Sequence, residues 1–180
     1  MTALEQQFDY VPMGPPPSSS HVQVLSLIIF ASRLPLMATE AEYLAALEEF
    51  DRTGLTPPLH IQMGLKVVQL SPTTVVTMNL TDDFRGVAKG SIHGGILATF
   101  ADATSAFALW NSFDVATEVP VTTDMHVRYY RQPRSGPLRG ETAVVHRGRR
   151  LLSTECVVTD AEDRVLARAT ATYMIVPRAE

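Results

Sequence analysis

The stretch Gly94-Gly95-Ile96-Leu97-Ala98-Thr99-Phe100-Ala101-Asp102-Ala103-Thr104-Ser105-Ala106-Phe107-Ala108-Leu109-Trp110 constrains the fold more than any other part of the chain. It is apolar nearly all round, which predicts a helix from Gly94 to about residue 112, buried on most sides. At about 100° per residue, Gly95, Ala98, Thr99, Asp102, Ser105 and Ala106 share one face of small and polar groups. An aspartate in the middle of such a helix has poor helix propensity and a large desolvation cost. Local rules that fail in this way fail most often at functional sites. Asp102 is therefore read as a working carboxylate and not as a solvated surface charge.

The text on either side of this helix is strand-like. Residues 63–70 and 73–80 are rich in β-branched side chains, and Ser71-Pro72 between them reads as a hairpin turn. Residues 81–92 form a loop containing Gly86 and Gly90. Four more strand-like runs follow, at 120–130, 138–146, 151–159 and 165–176, broken around Pro133 to Pro137, Gly148 and Asp160 to Asp163. One long helix set among antiparallel strands predicts an α+β fold and excludes a doubly wound parallel sheet.

Residues 1–36 differ from the rest, with Pro15-Pro16-Pro17, Ser18-Ser19-Ser20 and then an uncapped apolar run. They are expected to be a poorly structured N-terminal extension, with 37–180 as a single domain. The alternative is an extra strand over 22–30. Met37 reads as a natural start, followed by a short amphipathic helix that Thr39 and Glu42 would cap. The apolar run at 22–31 is half the length of a spanning helix, and the first basic residue, Arg33, comes after it. A soluble, cytoplasmic protein is expected, without a membrane partner. The single cysteine, Cys156, allows no intrachain disulfide, sits in an alternating run and reads as an apolar filler. A net charge of −4 gives no basic field for nucleic acid.

Gly94 and Gly95 let a substrate come close to the backbone at the helix start, where free N–H groups and the dipole stabilise an oxyanion. An oxyanion site and a carboxylate base together suit hydrolysis of an activated acyl group. Asp102 lies eight residues beyond Gly94, which is about 12 Å along a helix. Both must stand within about 3 Å of the reacting atoms, so one helix cannot serve one carbonyl. Two helices related by a two-fold axis can. The spacing predicts a homodimer with shared active sites, alone or as a dimer of dimers.

The motif Gly90-Ser91-Ile92-His93-Gly94-Gly95, followed by Asp102 nine residues after the histidine, resembles the signature of the hotdog-fold thioesterase superfamily. Within it, the pattern is closest to the phenylacetic-acid-pathway and 4-hydroxybenzoyl-CoA-type branch. Met125-His126-Val127-Arg128-Tyr129-Tyr130-Arg131-Gln132-Pro133 and Val145-His146-Arg147-Gly148-Arg149 resemble the family's following strand and turn. The resemblance implies a long helix wrapped by an antiparallel sheet and an acyl-CoA substrate. It assigns carbonyl polarisation to the Gly94 N–H and makes Asp102 of the partner chain general base or nucleophile. Thr122 would orient the attacking water, and His93 would be a positioning residue. The family often has Asn or Gln six residues before the histidine, where this chain has Val87.

Arg128, Arg131, Arg147 and Arg149 are candidates, with Gly95, for holding coenzyme A, since guanidinium groups suit phosphate. The coenzyme belongs to the substrate, and no further cofactor is expected. His21, His60, His126 and His146 lack ligand spacing, so no metal site is expected. The glycines before the helix have no Gly-Lys-Ser/Thr ending, and no Gly-x-Ser-x-Gly elbow is present. Two rivals share the expected fold: an enoyl-CoA hydratase or dehydratase, and a non-catalytic acyl-CoA-binding module.

Overall fold

The computed structural model describes residues 58–114 and 117–177. The expected helix after Met37 and the alternative strand over 22–30 lie outside the described residues. The elements are α1 (Pro58–Gln62), β1 (Lys66–Gln69), β2 (Thr74–Met78), a 3-10 turn (Asp82–Phe84), α2 (Gly94–Ala108), a second 3-10 turn (Trp110–Ser112), β3 (Glu118–Tyr129), β4 (Leu138–Arg147), β5 (Leu151–Thr159) and β6 (Val165–Pro177). One six-stranded sheet in the order β1-β2-β4-β5-β6-β3, antiparallel throughout, packs one face against α2. This is the α+β hotdog arrangement that the resemblance implies.

One element was not expected and one expectation needs correcting. Pro58 opens the short helix α1. Proline suits a first helical position, where its missing N–H has no intrahelical partner to lose. The long helix ends before residue 112. Leu109 (φ −88°, ψ −1°) turns its N–H to the Ala106 and Phe107 carbonyls, which tightens the chain into the 3-10 turn. The Arg147 guanidinium then holds that turn, donating to Ser112 Oγ and, at 3.3 Å, to Asn111 Oδ1.

The core lies between α2 and the inner sheet face. Leu97, Phe100 and Ala101 of the helix are buried against Val76, Met78, Leu138, Val158, Ala167 and Ala169. Burying Leu97 and Phe100 stabilises the fold by roughly 1.5–3 kcal/mol each. At Gly140 on β4 the helix rests almost on the sheet backbone: an added Cβ would stand 2.7 Å from Thr104 Oγ1 and 3.3 Å from the Phe100 ring. Cys156 is also buried here, and burial pushes its thiol up to about 11. Ser105, placed on the small polar face from sequence, is buried, whereas Gly95 is exposed and Ala98, Thr99, Asp102 and Ala106 keep partial exposure.

β3 is the edge strand next to β6, which accounts for Pro120 within it: a proline has no N–H for a second neighbour. A bulge interrupts this pairing. Thr122 pairs with Tyr173 and Asp124 with Thr172, so Thr123 is an extra residue. The Thr123 hydroxyl donates to the Thr172 carbonyl at 3.0 Å. Below the bulge Met125, Val127 and Tyr129 oppose Ala171, Ala169 and Ala167 on the inner face. The extra residue brings Thr122 onto that same face, toward α2.

Candidate active site

Asp102 sits mid-helix and half-buried, with Oδ1 accepting two hydrogen bonds. Thr122 Oγ1, which the bulge on β3 turns inward, donates at 2.9 Å. Tyr173 of β6 donates from its hydroxyl at 2.8 Å, and the same hydroxyl lies 2.9 Å from the Asp102 backbone oxygen. Oδ2 has no partner among the described residues. Burial first, and then the adjacent carboxylate, push the Tyr173 phenol well above its ordinary range, so it remains a donor.

The other end of the site is the start of α2. His93 is the N-cap: its Nδ1 accepts the Gly95 N–H at 3.0 Å, which requires the neutral imidazole with its proton on Nε2. A Cβ at Gly95 would stand 3.0 Å from that nitrogen, so any larger residue there must push the capping imidazole aside by a few tenths of an ångström. Ile96 N–H bonds the His93 carbonyl at 3.0 Å. Of the two glycines, only Gly94 retains an N–H without an acceptor among the described residues. The loop before it is tied down by the His93 N–H to Phe84 carbonyl bond and by Gln132 Oε1, which accepts the Ile92 N–H at 2.9 Å. Tyr129 closes the far side, donating to the Gly94 carbonyl at 3.0 Å.

Thus Asp102 and Thr122 come together, as do His93, Gly94 and Gly95, and the two groups stay separate within the chain. The arginines disperse. Arg128 lies on the outer face of β3 directly opposite Arg168 of β6. Arg131 is exposed in the loop after β3. Arg147 is engaged with Ser112 and Asn111. Arg149 lines a cavity of about 480 Å³ beside Ser112 and Glu118, near the far end of α2. Val87 is fully exposed, and the amide that reaches this loop comes from Gln132 instead. No cluster of metal-ligating residues occurs among the described residues, and no described helix is long and apolar enough to cross a membrane.

Sequence reasoning missed two residues. Tyr173 stands at an inward position after the small inward residues Ala167, Ala169 and Ala171, and a buried tyrosine hydroxyl needs a partner; that was the available signal. His60 of α1 was weighed only as a metal ligand. Its ring lies 5.6 Å from that of Phe107, its Nδ1 is buried without a partner, and burial lowers its proton affinity while Asp102 works the other way.

The thioesterase superfamily model matches residues 89–167, which span α2 to the start of β6. The proofreading thioesterase EntH of Klebsiella pneumoniae is 35% identical over 75 residues, or 42% of this chain; the match spans about half of that relative, 54%. The E. coli PaaI protein of the phenylacetic acid degradation operon shares the fold, with a TM-score of 0.61 at 20% identity over 73% of this chain and 93% of its own. A solved protein described as coming from the thioesterase superfamily is 30% identical, with a TM-score of 0.62, over 73% of this chain and 99% of its own. With a member matched along nearly its whole length, and with the family model spanning the helix that carries Gly94 and Asp102, the chain belongs to the thioesterase superfamily.

Proposed function

We propose that this protein hydrolyses the thioester of an acyl-CoA to a free acid and coenzyme A, as a homodimer whose two sites each draw on both chains. The observation that carries this reading is the Asp102 carboxylate, set in an apolar helix with Oδ1 held by two hydroxyl donors and Oδ2 open. Oδ2 takes a proton from water, and the oxygen of that water bonds to the thioester carbon. The Thr122 hydroxyl, which donates to Oδ1, keeps lone pairs that can orient the water. Negative charge on the former carbonyl oxygen meets the Gly94 N–H of the other chain. The C–S bond then breaks, and the leaving thiolate takes the proton back from Asp102.

The second chain is required by length: eight residues separate Gly94 from Asp102, about 12 Å of helix. The edge strand β3 and the partly open stripe through Ala98, Thr99 and Asp102 are the surfaces on which we place it. Arg128 opposite Arg168 is a pair of like charges that a coenzyme A phosphate would relieve. Arg131 and Arg149 are further candidates, whereas Arg147 would have to leave Ser112 and Asn111. The buried free thiol of Cys156 fits the cytoplasm, where we place the protein. We also place the domain boundary between residues 36 and 37; deletion of 1–36 should leave melting temperature and turnover unchanged.

The test is thiol release from short, medium, long and aromatic acyl-CoAs, with crotonyl-CoA hydration measured beside it. Hydration without thiol release would favour the hydratase reading. Tight acyl-CoA binding with neither reaction would leave a binding module and overturn the proposal.

A further inference from the structure

Both protein donors to Asp102 converge on one carboxylate oxygen, and they come from strands of different character. Thr122 is exposed on the edge strand. Tyr173 is 1% exposed, on an interior strand, with its ring packed among Leu109, Leu152 and Ala171. A carboxylate turns easily about its last torsion, a broad and roughly two-fold well, so its oxygens are interchangeable unless something distinguishes them.

We propose that Tyr173 is a positioning residue: it fixes the rotamer of Asp102, assigns Oδ1 to holding and so reserves Oδ2 for the reaction. This deepens the proposed function and rests on it. The argument begins with the hydroxyl itself. Phenylalanine would fill the same apolar space, and a buried hydroxyl without a partner is destabilising. The partners it finds are Oδ1 and the backbone oxygen of the same residue. That backbone oxygen lies in mid-helix, where the helix ladder already supplies a donor. The carboxylate is therefore the acceptor that needs the phenol. The hydroxyl also ties α2 to an interior strand at the residue that does the chemistry, and raised proton affinity keeps it a donor at any working pH. After the small inward residues Ala167, Ala169 and Ala171, Tyr173 is the first large inward group of β6.

The experiment replaces Tyr173→Phe in the full chain and reads kcat, KM, melting temperature, dimer mass and the pH profile of kcat/KM. Loss of the hydroxyl should lower kcat about 10- to 100-fold, the scale of a misplaced catalytic group, with KM within about two-fold. The acidic limb of the profile should move to higher pH, because an ionised carboxylate that loses a donor holds a proton more tightly. His60 on α1 is the other titratable group that senses Asp102, so the shift must also appear in a His60→Gln background. Thr122→Ala and the double variant should show non-additive losses, since both hydroxyls serve one oxygen. A lowered melting temperature with wild-type kcat and an unmoved limb would mean a purely structural tyrosine and would overturn the proposal. Should Tyr173→Phe fail to fold, 3-fluorotyrosine at 173, a stronger donor, should move the limb to lower pH; an unmoved limb refutes the idea. Asp102→Asn run in parallel separates the two levels. If it keeps wild-type turnover, the proposed function falls; if it is dead while Tyr173→Phe is normal, only this inference falls.

Discussion

Two inactive variants of this protein should restore one another when their chains are mixed. The perturbations are Gly94→Val, which obstructs the open N–H, and Asp102→Asn, whose amide accepts no proton. A Cβ at Gly94 meets the Tyr129 ring at 3.7 Å, an ordinary contact, so a side chain there is tolerable to the fold while it stands at the substrate's approach. The eight-residue separation, about 12 Å, assigns the two groups of one site to different chains. In a hybrid dimer one site then collects both lesions and the other has none. Random assortment makes about half of the dimers hybrids, each with one intact site of two, so about a quarter of wild-type activity should return. Co-expression, native mass spectrometry to count hybrids and thiol release to measure turnover are sufficient. If hybrids form and stay inactive, each site is built within one chain and the shared-site reasoning is refuted.

Asp102→Asn alone should leave the dimer folded and lower kcat by about 10²-fold or more, the usual scale for a lost general base; near wild-type turnover would remove Asp102 from the chemistry. Gly140→Ala should destabilise by roughly 1–3 kcal/mol, seen as a lower melting temperature, because its Cβ would stand 2.7 Å from Thr104 Oγ1 and α2 must lift. Stability should fall as pH drops below about 6.5, the ordinary histidine value, because folding lowers the proton affinity of His60 and the unfolded chain then binds the extra proton. His60→Gln should flatten melting temperature across that range; an unchanged slope would count against it. A separate loss of stability is expected below the ordinary aspartate value of 3.8. There burial of Asp160 is outweighed by hydrogen bonds from Arg164, Arg134 and Glu162, which hold its carboxyl low, and Asp160→Asn should remove the effect.

The strands were legible where turns punctuate them: β5 falls on 151–159 as read, because Gly148 and Asp160 bound it. The start of α2 was legible from Gly94 and its apolar text, and Asp102 from its discord with that text. Its end was not, since the turn at Trp110–Ser112 depends on Arg147, which lies 35 residues away from Ser112. Tyr173 and His60 went unassigned for a related reason. Alternation marks Tyr173 as core and spacing clears His60 of metal binding, while their nearness to Asp102 is created by packing between distant segments. The Gly95 N–H escaped as well, because two glycines at a helix start look alike until the cap at His93 claims one of them.

The bulge at Thr123 stores a functional decision as a count. Four residues lie between Thr122 and Val127, a number that by regular alternation would put the two on opposite faces; with the unpaired Thr123 left out the number is three, and both residues look toward α2. Removing Thr123 would make the strand regular, with Asp124 opposite Thr172 and Thr122 still opposite Tyr173, so a threonine would go on facing the carboxylate. At this point of the chain a one-residue deletion leaves the groups of the site in place while a substitution of Thr122 removes one of them, the reverse of the usual order of severity.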